Sequence, residues 1–209
     1  MASLEALAPL RKRGAEIIVV DGGSGDDTMV LAMPHADHVT ASPRGRAVQM
    51  NAGAAAARAE VLLFLHADTH LPAGADRLVL DGLEQSRRAW GRFDVTIEGD
   101  HPLLPVVAEF MNARSRLTGI ATGDQAMFVT RDAFAKVGGF PEIALMEDIT
   151  LARNLKRISS PLSLRARVTT SGRRWQTRGV LRTIVLMWRL RLAYFFRADP
   201  QDLARRYES

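Results

Sequence analysis

Val61-Leu62-Leu63-Phe64-Leu65-His66-Ala67-Asp68-Thr69 decides the fold of this chain. Its five leading apolar residues are too few for a helix and show no alternation, so they read as a buried strand of a parallel sheet. Open α/β sheets gather ligands at the carboxyl ends of such strands, which is where Asp68 stands. Two readings of Asp68 are open at this point: a cap for the next turn or helix, or a ligand of a hard divalent cation that arrives with substrate phosphates. His66 lies two residues earlier and so points to the same side of the strand end, where it can meet a ribose or the metal.

The flanking segments alternate between strand and helix. Leucines at 4, 7 and 10 give residues 3–13 a helical spacing that stops at Gly14. Residues 16–20 form a second apolar run, ending in the turn Asp21-Gly22-Gly23-Ser24-Gly25-Asp26-Asp27-Thr28, which opens a helix over 29–33. A short strand at Val39-Thr40, an alanine-rich helix over 46–58 and a helix over 76–86 follow. Arg92-Phe93-Asp94-Val95-Thr96-Ile97-Glu98 then alternates polar and apolar, as a half-exposed strand does. Helices over 105–118, 132–137 and 146–158 and strands over 126–129 and 163–169 complete the reading. Repeated βα units followed by a mixed half, with no long linker, predict one α/β domain over residues 1–175. Residues 176–209 are left as an amphipathic helix and tail.

A length of 209 residues suffices for one substantial core, and 47% apolar with 24% charged content is ordinary for a globular protein. Without cysteine there are no disulfides and no thiolate metal sites. The net charge of +5 invites a nucleic-acid partner. No basic run is interleaved with aromatics, however, and the cations are almost all arginine, lysine occurring only at 12, 136 and 156, so none is expected. The residues show no signal peptide and nothing near the ~20 apolar residues that span a bilayer. A cytoplasmic protein is expected, the alternative being a peripheral position at the inner face of the membrane.

Several further residues could carry chemistry. Asp21 follows a strand in a glycine-rich turn, where it either accepts hydrogen bonds from a base or sugar or only shapes the turn. Arg44-Gly45-Arg46 precedes the helix that carries Gln49, Asn51 and Gly53; arginines beside a helix start suit an anion, and a solvated basic loop is the alternative. Gly123-Asp124-Gln125 introduces a strand that can line the same crevice. Glu147-Asp148 opens a helix, either because acids suit the positive helix end or because one is a general base facing a substrate hydroxyl. Arg173-Arg174-Trp175 places cations beside an aromatic surface able to stack on a sugar or base.

In this order the stations resemble the family 2 glycosyltransferases. The matching residues are Val19 through Thr28; Arg46 through Gly53; Leu63-Phe64-Leu65-His66-Ala67-Asp68-Thr69; Gly138-Gly139-Phe140 with Glu147-Asp148; and Arg174-Trp175. The resemblance is closest to a small bacterial subgroup with the same Gln-Met-Asn-Ala-Gly and Leu-His-Ala-Asp-Thr wording. It implies a GT-A fold, a Rossmann-like mixed sheet flanked by helices, and an inverting, metal-dependent sugar transfer from a nucleotide-diphosphate donor to an acceptor hydroxyl. Asp21 would contact the donor nucleoside and Arg46 its base or diphosphate. Asp68 would hold Mg²⁺ or Mn²⁺, and Asp148 would be the catalytic base. Asn51, His66, Asp124, Glu147, Arg174 and Trp175 would complete the substrate site.

His66 stands where the family commonly has an aspartate, and Ser171 where its Gln-x-x-Arg-Trp motif has glutamine. The family also begins with a strand that cradles the base; residues 1–13 already correspond to the helix after it, so the natural chain is expected to start upstream. Two other functions compete. A nucleotidyltransferase has a similar architecture but needs a glycine-rich loop with a basic residue after its first strand. A catalytically degenerate nucleotide-sugar or membrane-surface module would keep the fold without turnover.

Residues 176–196 are read as one helix with Arg178, Arg182 and Arg189 on one face and Val180, Ile184, Met187, Trp188 and Phe195 opposite, Arg191 breaking the apolar side. Such a helix either packs on the domain or rests on anionic lipid, which would serve a lipid-linked acceptor.

Overall fold

The structure, a computed structural model, describes residues 2–208, less the side chains of Arg174 and Glu208. The first half runs α1 (Ala2–Glu5), α2 (Ala8–Lys12), β1 (Ile18–Asp21), α3 (Thr28–Ala32), β2 (His38–Ala41), α4 (Arg46–Ala56), β3 (Val61–Leu63), β4 (Thr69–His70), α5 (Ala75–Ser86) and β5 (Trp90–Glu98). The second half runs α6 (Leu104–Thr118), β6 (Phe128–Thr130), α7 (Arg131–Lys136), α8 (Glu147–Leu155), β7 (Leu162–Ser171), α9 (Arg173–Arg178), α10 (Val180–Phe195) and α11 (Pro200–Glu208). The expected first helix is two short ones. Pro9 in the first turn of α2 has no N–H to continue a ladder from α1, so the helix restarts there.

β1 and β2 pair in parallel, while the other strands form a mixed sheet in the order β3-β6-β5-β7-β4. The expected parallel partner of β3 is replaced by an antiparallel one: Val61, Leu62 and Leu63 face Thr130, Val129 and Phe128 of β6. Burial on two faces, not strand direction, explains the unbroken apolar run. Val61, Leu63 and Leu65 pack against a cluster built on Phe93, Val95, Phe128 and Val168. Leu62 and Phe64 pack the other way, against Trp90, Phe134, Phe140 and Leu155.

β5 departs further from expectation. Its alternation predicts a half-exposed strand, yet Arg92 and Asp94 are buried as well as Phe93 and Val95. Arg92 is buried because it forms an ion pair with Asp94, which Arg116 of α6 also grips. A buried charge is tolerated when paired in this way. β6 pairs with β5 at Trp90 and Gly91. Further along, Asn112 of α6 substitutes for a strand, its Oδ1 accepting from Val95 N at 2.9 Å and its Nδ2 donating to Val95 O at 3.0 Å.

The single C-terminal helix is also corrected. Gly179, at φ 81°, separates α9 from α10. α10 and α11 then pack on α8 through Met146, Ile149, Leu190 and Leu203. The apolar face read from the sequence is divided: Val180, Ile184 and Met187 pack inward, while Trp188 and Phe195 are exposed.

Candidate active site

Three segments converge beyond the end of β3. Phe64 N still donates to Met127 O at 2.8 Å, and then the chain leaves the sheet and presents His66. The 3₁₀ turn Gly123–Gln125 comes from the β6 side, and the first turn of α8 contributes Glu147 and Asp148. Met50, Phe64, His66, Gly123, Met127, Phe140, Glu147 and Asp148 line one small pocket. A Cβ at Gly123 would lie 2.5 Å from the His66 ring, so the two segments touch only because that residue is glycine.

Asp148 is fixed by backbone donors. Gly123 N donates to its Oδ2 at 2.8 Å and Ile149 N to its Oδ1 at 2.6 Å. Glu147 beside it is buried, and that burial, with the neighbouring Asp148 charge second, pushes its carboxyl above the ordinary range against the opposing pull of Arg46. Arg46 Nη1, at the start of α4, stands 3.9 Å from Glu147 Oε1. His66 Nδ1 faces Asp124 Oδ1 at 3.6 Å. Desolvation would raise Asp124, but the His66 hydrogen bond and the Arg46 and Arg191 charges outweigh it and hold its carboxyl low.

The backbone is strained on both sides of the pocket. Ala126 (φ 44°) and Met146 (φ 73°) are left-handed non-glycine residues that immediately follow or precede pocket segments. Such conformations are costly, and they gather at functional sites.

Other expected site residues lie differently. Asp21 closes its own turn: its Oδ2 accepts from Gly23 N and Ser24 N, both at 2.8 Å, and its Oδ1 from Ser24 Oγ at 2.5 Å. The Ser24 bonds hold its carboxyl below the usual range. Asn51 uses both ends of its amide on one backbone unit, donating to Phe140 O at 2.8 Å and accepting from Phe140 N at 2.9 Å. It clamps the Gly139-Phe140 loop onto α4. Trp175 packs against the core cluster that includes Leu104 and Val180. The Arg174 side chain lies outside the described residues.

Asp68 is exposed on the turn after β3, and among the described residues only its backbone carbonyl bonds to a distant part of the chain, accepting from Ser171 N at 3.2 Å. Among the described residues no three His, Asp or Glu side chains cluster as a metal cage. One uncommitted carboxylate nevertheless fits Mg²⁺ or Mn²⁺, which keep several waters and take further oxygens from substrate phosphates.

Two arginines that sequence reasoning did not assign to the site complete the electrostatics. Burial and the nearby Arg191 charge push Arg114 of α6 down to about 10, partly offset by Asp148. Its Nε and Nη2 are buried without a hydrogen-bond partner among the described residues. Arg191 of α10 is lowered by burial and feels Asp148 and Asp124. Only the interruption of an apolar helix face marked Arg191 in the sequence, and nothing comparable marked Arg114.

A mixed sheet ending in this pocket is the GT-A architecture. Solved structures agree. TarS from S. aureus superposes with TM-score 0.64 at 17% identity over 80% of this chain and 33% of its own. Its 1–349 fragment in complex with UDP-GlcNAc gives 0.62 at 16% identity over 80% and 54%. The Pyrobaculum calidifontis mannosyltransferase PcManGT, in complex with GDP-Man and Mn²⁺, gives 0.60 at 21% identity over 91% and 56%. This chain thus spans a third to just over half the length of those proteins. The sequence pattern of Glycosyl transferase family 2 matches residues 2–138, more than half the chain, and the chain belongs to that family. No curated protein matches it.

Proposed function

We propose that this protein transfers a sugar from a nucleotide-diphosphate donor to an acceptor hydroxyl, with inversion and with a divalent cation as cofactor. The observation that carries the reading is the pocket pairing of Asp148, fixed by Gly123 N–H, with a buried Glu147 whose charged form burial disfavours. Carboxylates held in environments that differ this way are how a site separates roles. Asp148 takes the proton of the acceptor hydroxyl as its oxygen attacks the anomeric carbon. The bond from that carbon to the diphosphate breaks on the opposite face, which inverts the centre.

Asp68 would hold Mg²⁺ or Mn²⁺, with His66 beside it, and the bound cation would neutralise the departing diphosphate. Arg46 supports the same group from the start of α4, and Asp21 orders the turn beside the nucleoside. Arg114 and Arg191 supply positive charge beside the base and leave room in the electrostatic balance for an anionic substrate. We take the acceptor to be lipid-linked and the protein to work peripherally at the inner membrane face.

The test is release of nucleoside diphosphate from a panel of nucleotide sugars. Expected are a requirement for Mg²⁺ or Mn²⁺, loss with chelator, and a fall of about 10²–10⁴ in Asp148→Asn, the usual worth of a general base. Asp68→Ala should abolish the metal response while leaving the fold intact. Metal-independent turnover, or full activity in Asp148→Asn, would overturn the assignment.

A further inference from the structure

α10 carries two unlike rows. Its inward row brings Arg191 into the field of Asp148 and Asp124. Its outward row, Leu181, Val185, Trp188, Leu192 and Phe195, is spaced as one helical stripe and is exposed, Trp188 to 71%. Leu104, Val107 and Met111 of α6 belong to the same core cluster as Val180 and Ile184 of α10, and Arg114 of α6 lies within the field of Arg191.

On α6 the residues one position before that packed row, Val106 and Phe110, are exposed, and Leu117 continues the line. Each exposed row is one step around its helix from the residues that face the core. Pro105, Val106, Phe110 and Ala113 line an open groove on α6 together with Glu109, which is paired with Arg167. The exposed apolar surface is therefore a plate on α10 and a second row on α6.

We propose that this plate rests on an anionic lipid bilayer and brings the catalytic pocket to its surface; the inference builds on the glycosyltransfer reading. The charge pattern selects the occupant. α10 contains no acidic residue, and Arg182, Arg189 and, just beyond it, Arg197 are exposed around the stripe. A second copy meeting this face about a twofold axis would oppose arginine to arginine. Anionic headgroups match the rim, and Trp188 with Phe195 suits the headgroup–acyl boundary. The helix lies on the membrane and does not cross it: among the described residues none is long and apolar enough to span. Arg191 follows Trp188 by three residues and so borders the stripe, which sets the lipid-facing row beside the arginine that feels Asp148 and lets a hydroxyl on a lipid headgroup approach the pocket.

Three tryptophans make the test direct, since Trp90 is buried, Trp175 half-buried and only Trp188 exposed. The probe is vesicles of phosphatidylcholine and phosphatidylglycerol, compared with phosphatidylcholine alone. Expected are co-sedimentation with the anionic vesicles and a blue shift of emission that disappears in Trp188→Phe while binding remains. Arg182→Gln with Arg189→Gln should weaken binding about thirtyfold, and Leu192→Asp should abolish it, both without change in circular dichroism. Absence of sedimentation and of any shift on anionic vesicles would overturn the proposal. A concentration-dependent dimer that Leu192→Asp dissociates would do so too, by assigning the plate to a second copy. Donor hydrolysis without vesicles separates the two ideas: if it persists while vesicle binding fails, only the membrane inference falls; if binding holds and no donor is turned over, the glycosyltransfer reading falls instead.

Discussion

Replacing Asn51 with alanine separates two roles that the sequence could not. The resemblance assigns Asn51 to substrate, but the structure gives both ends of its amide to the N–H and C=O of Phe140. Phe140 is buried, so alanine leaves a donor and an acceptor with neither partner nor water. Each such group costs about 1–3 kcal/mol, which sums to about 2–6 kcal/mol for the pair. In a protein of this size that lowers the melting temperature by about 10 °C. The freed Gly139-Phe140 segment leads to Glu147 and Asp148, and Phe140 itself lines the pocket, so turnover should fall in step with loss of local order. Thermal and urea unfolding followed by circular dichroism give the stability; nucleoside diphosphate release at 15 °C, below either transition, gives the activity. A variant as stable as the parent but unable to bind donor would refute the clamp and return Asn51 to the substrate.

Two further substitutions test the charges. Glu147 has its carboxyl raised by burial and by Asp148, so the folded state holds that proton more tightly than the unfolded chain does, and stability is lost as pH rises from the unfolded value through the folded one. Glu147→Gln should therefore be more stable than the parent at neutral pH, with the difference vanishing below about pH 4, where the unfolded carboxyl is also protonated; melting curves from pH 3 to 8 check this, and a pH-independent difference would contradict it. Arg114→Met removes a desolvated guanidinium with two unpartnered nitrogens, and should leave stability unchanged or raise it by about 1–3 kcal/mol while lowering turnover, because Asp148 loses a nearby cation. Urea midpoints and donor hydrolysis measured on one preparation would expose a variant that loses both.

The sequence by itself determined the stations and their order. The apolar run before His66-Ala67-Asp68 announced two-sided burial, and the glycine-rich turn after β1 and the acidic start of α8 stood where local chemistry puts them. These are properties of neighbouring residues, and a chain records them directly. Only the tertiary structure decided what each side chain faces. Leu62 and Leu63 read alike whether the partner strand is parallel or antiparallel, because either way both faces are covered. Arg92 and Asp94 look like the wet side of a strand until Arg116, from a helix 22 residues beyond Asp94, closes a buried ion pair over them. Asn51 found its partner 89 residues away, and Arg114 and Arg191 met Asp148 from two separate helices. Contacts so distant along the chain leave no spacing or periodicity behind, so the charge balance of the pocket exists only once the chain is folded.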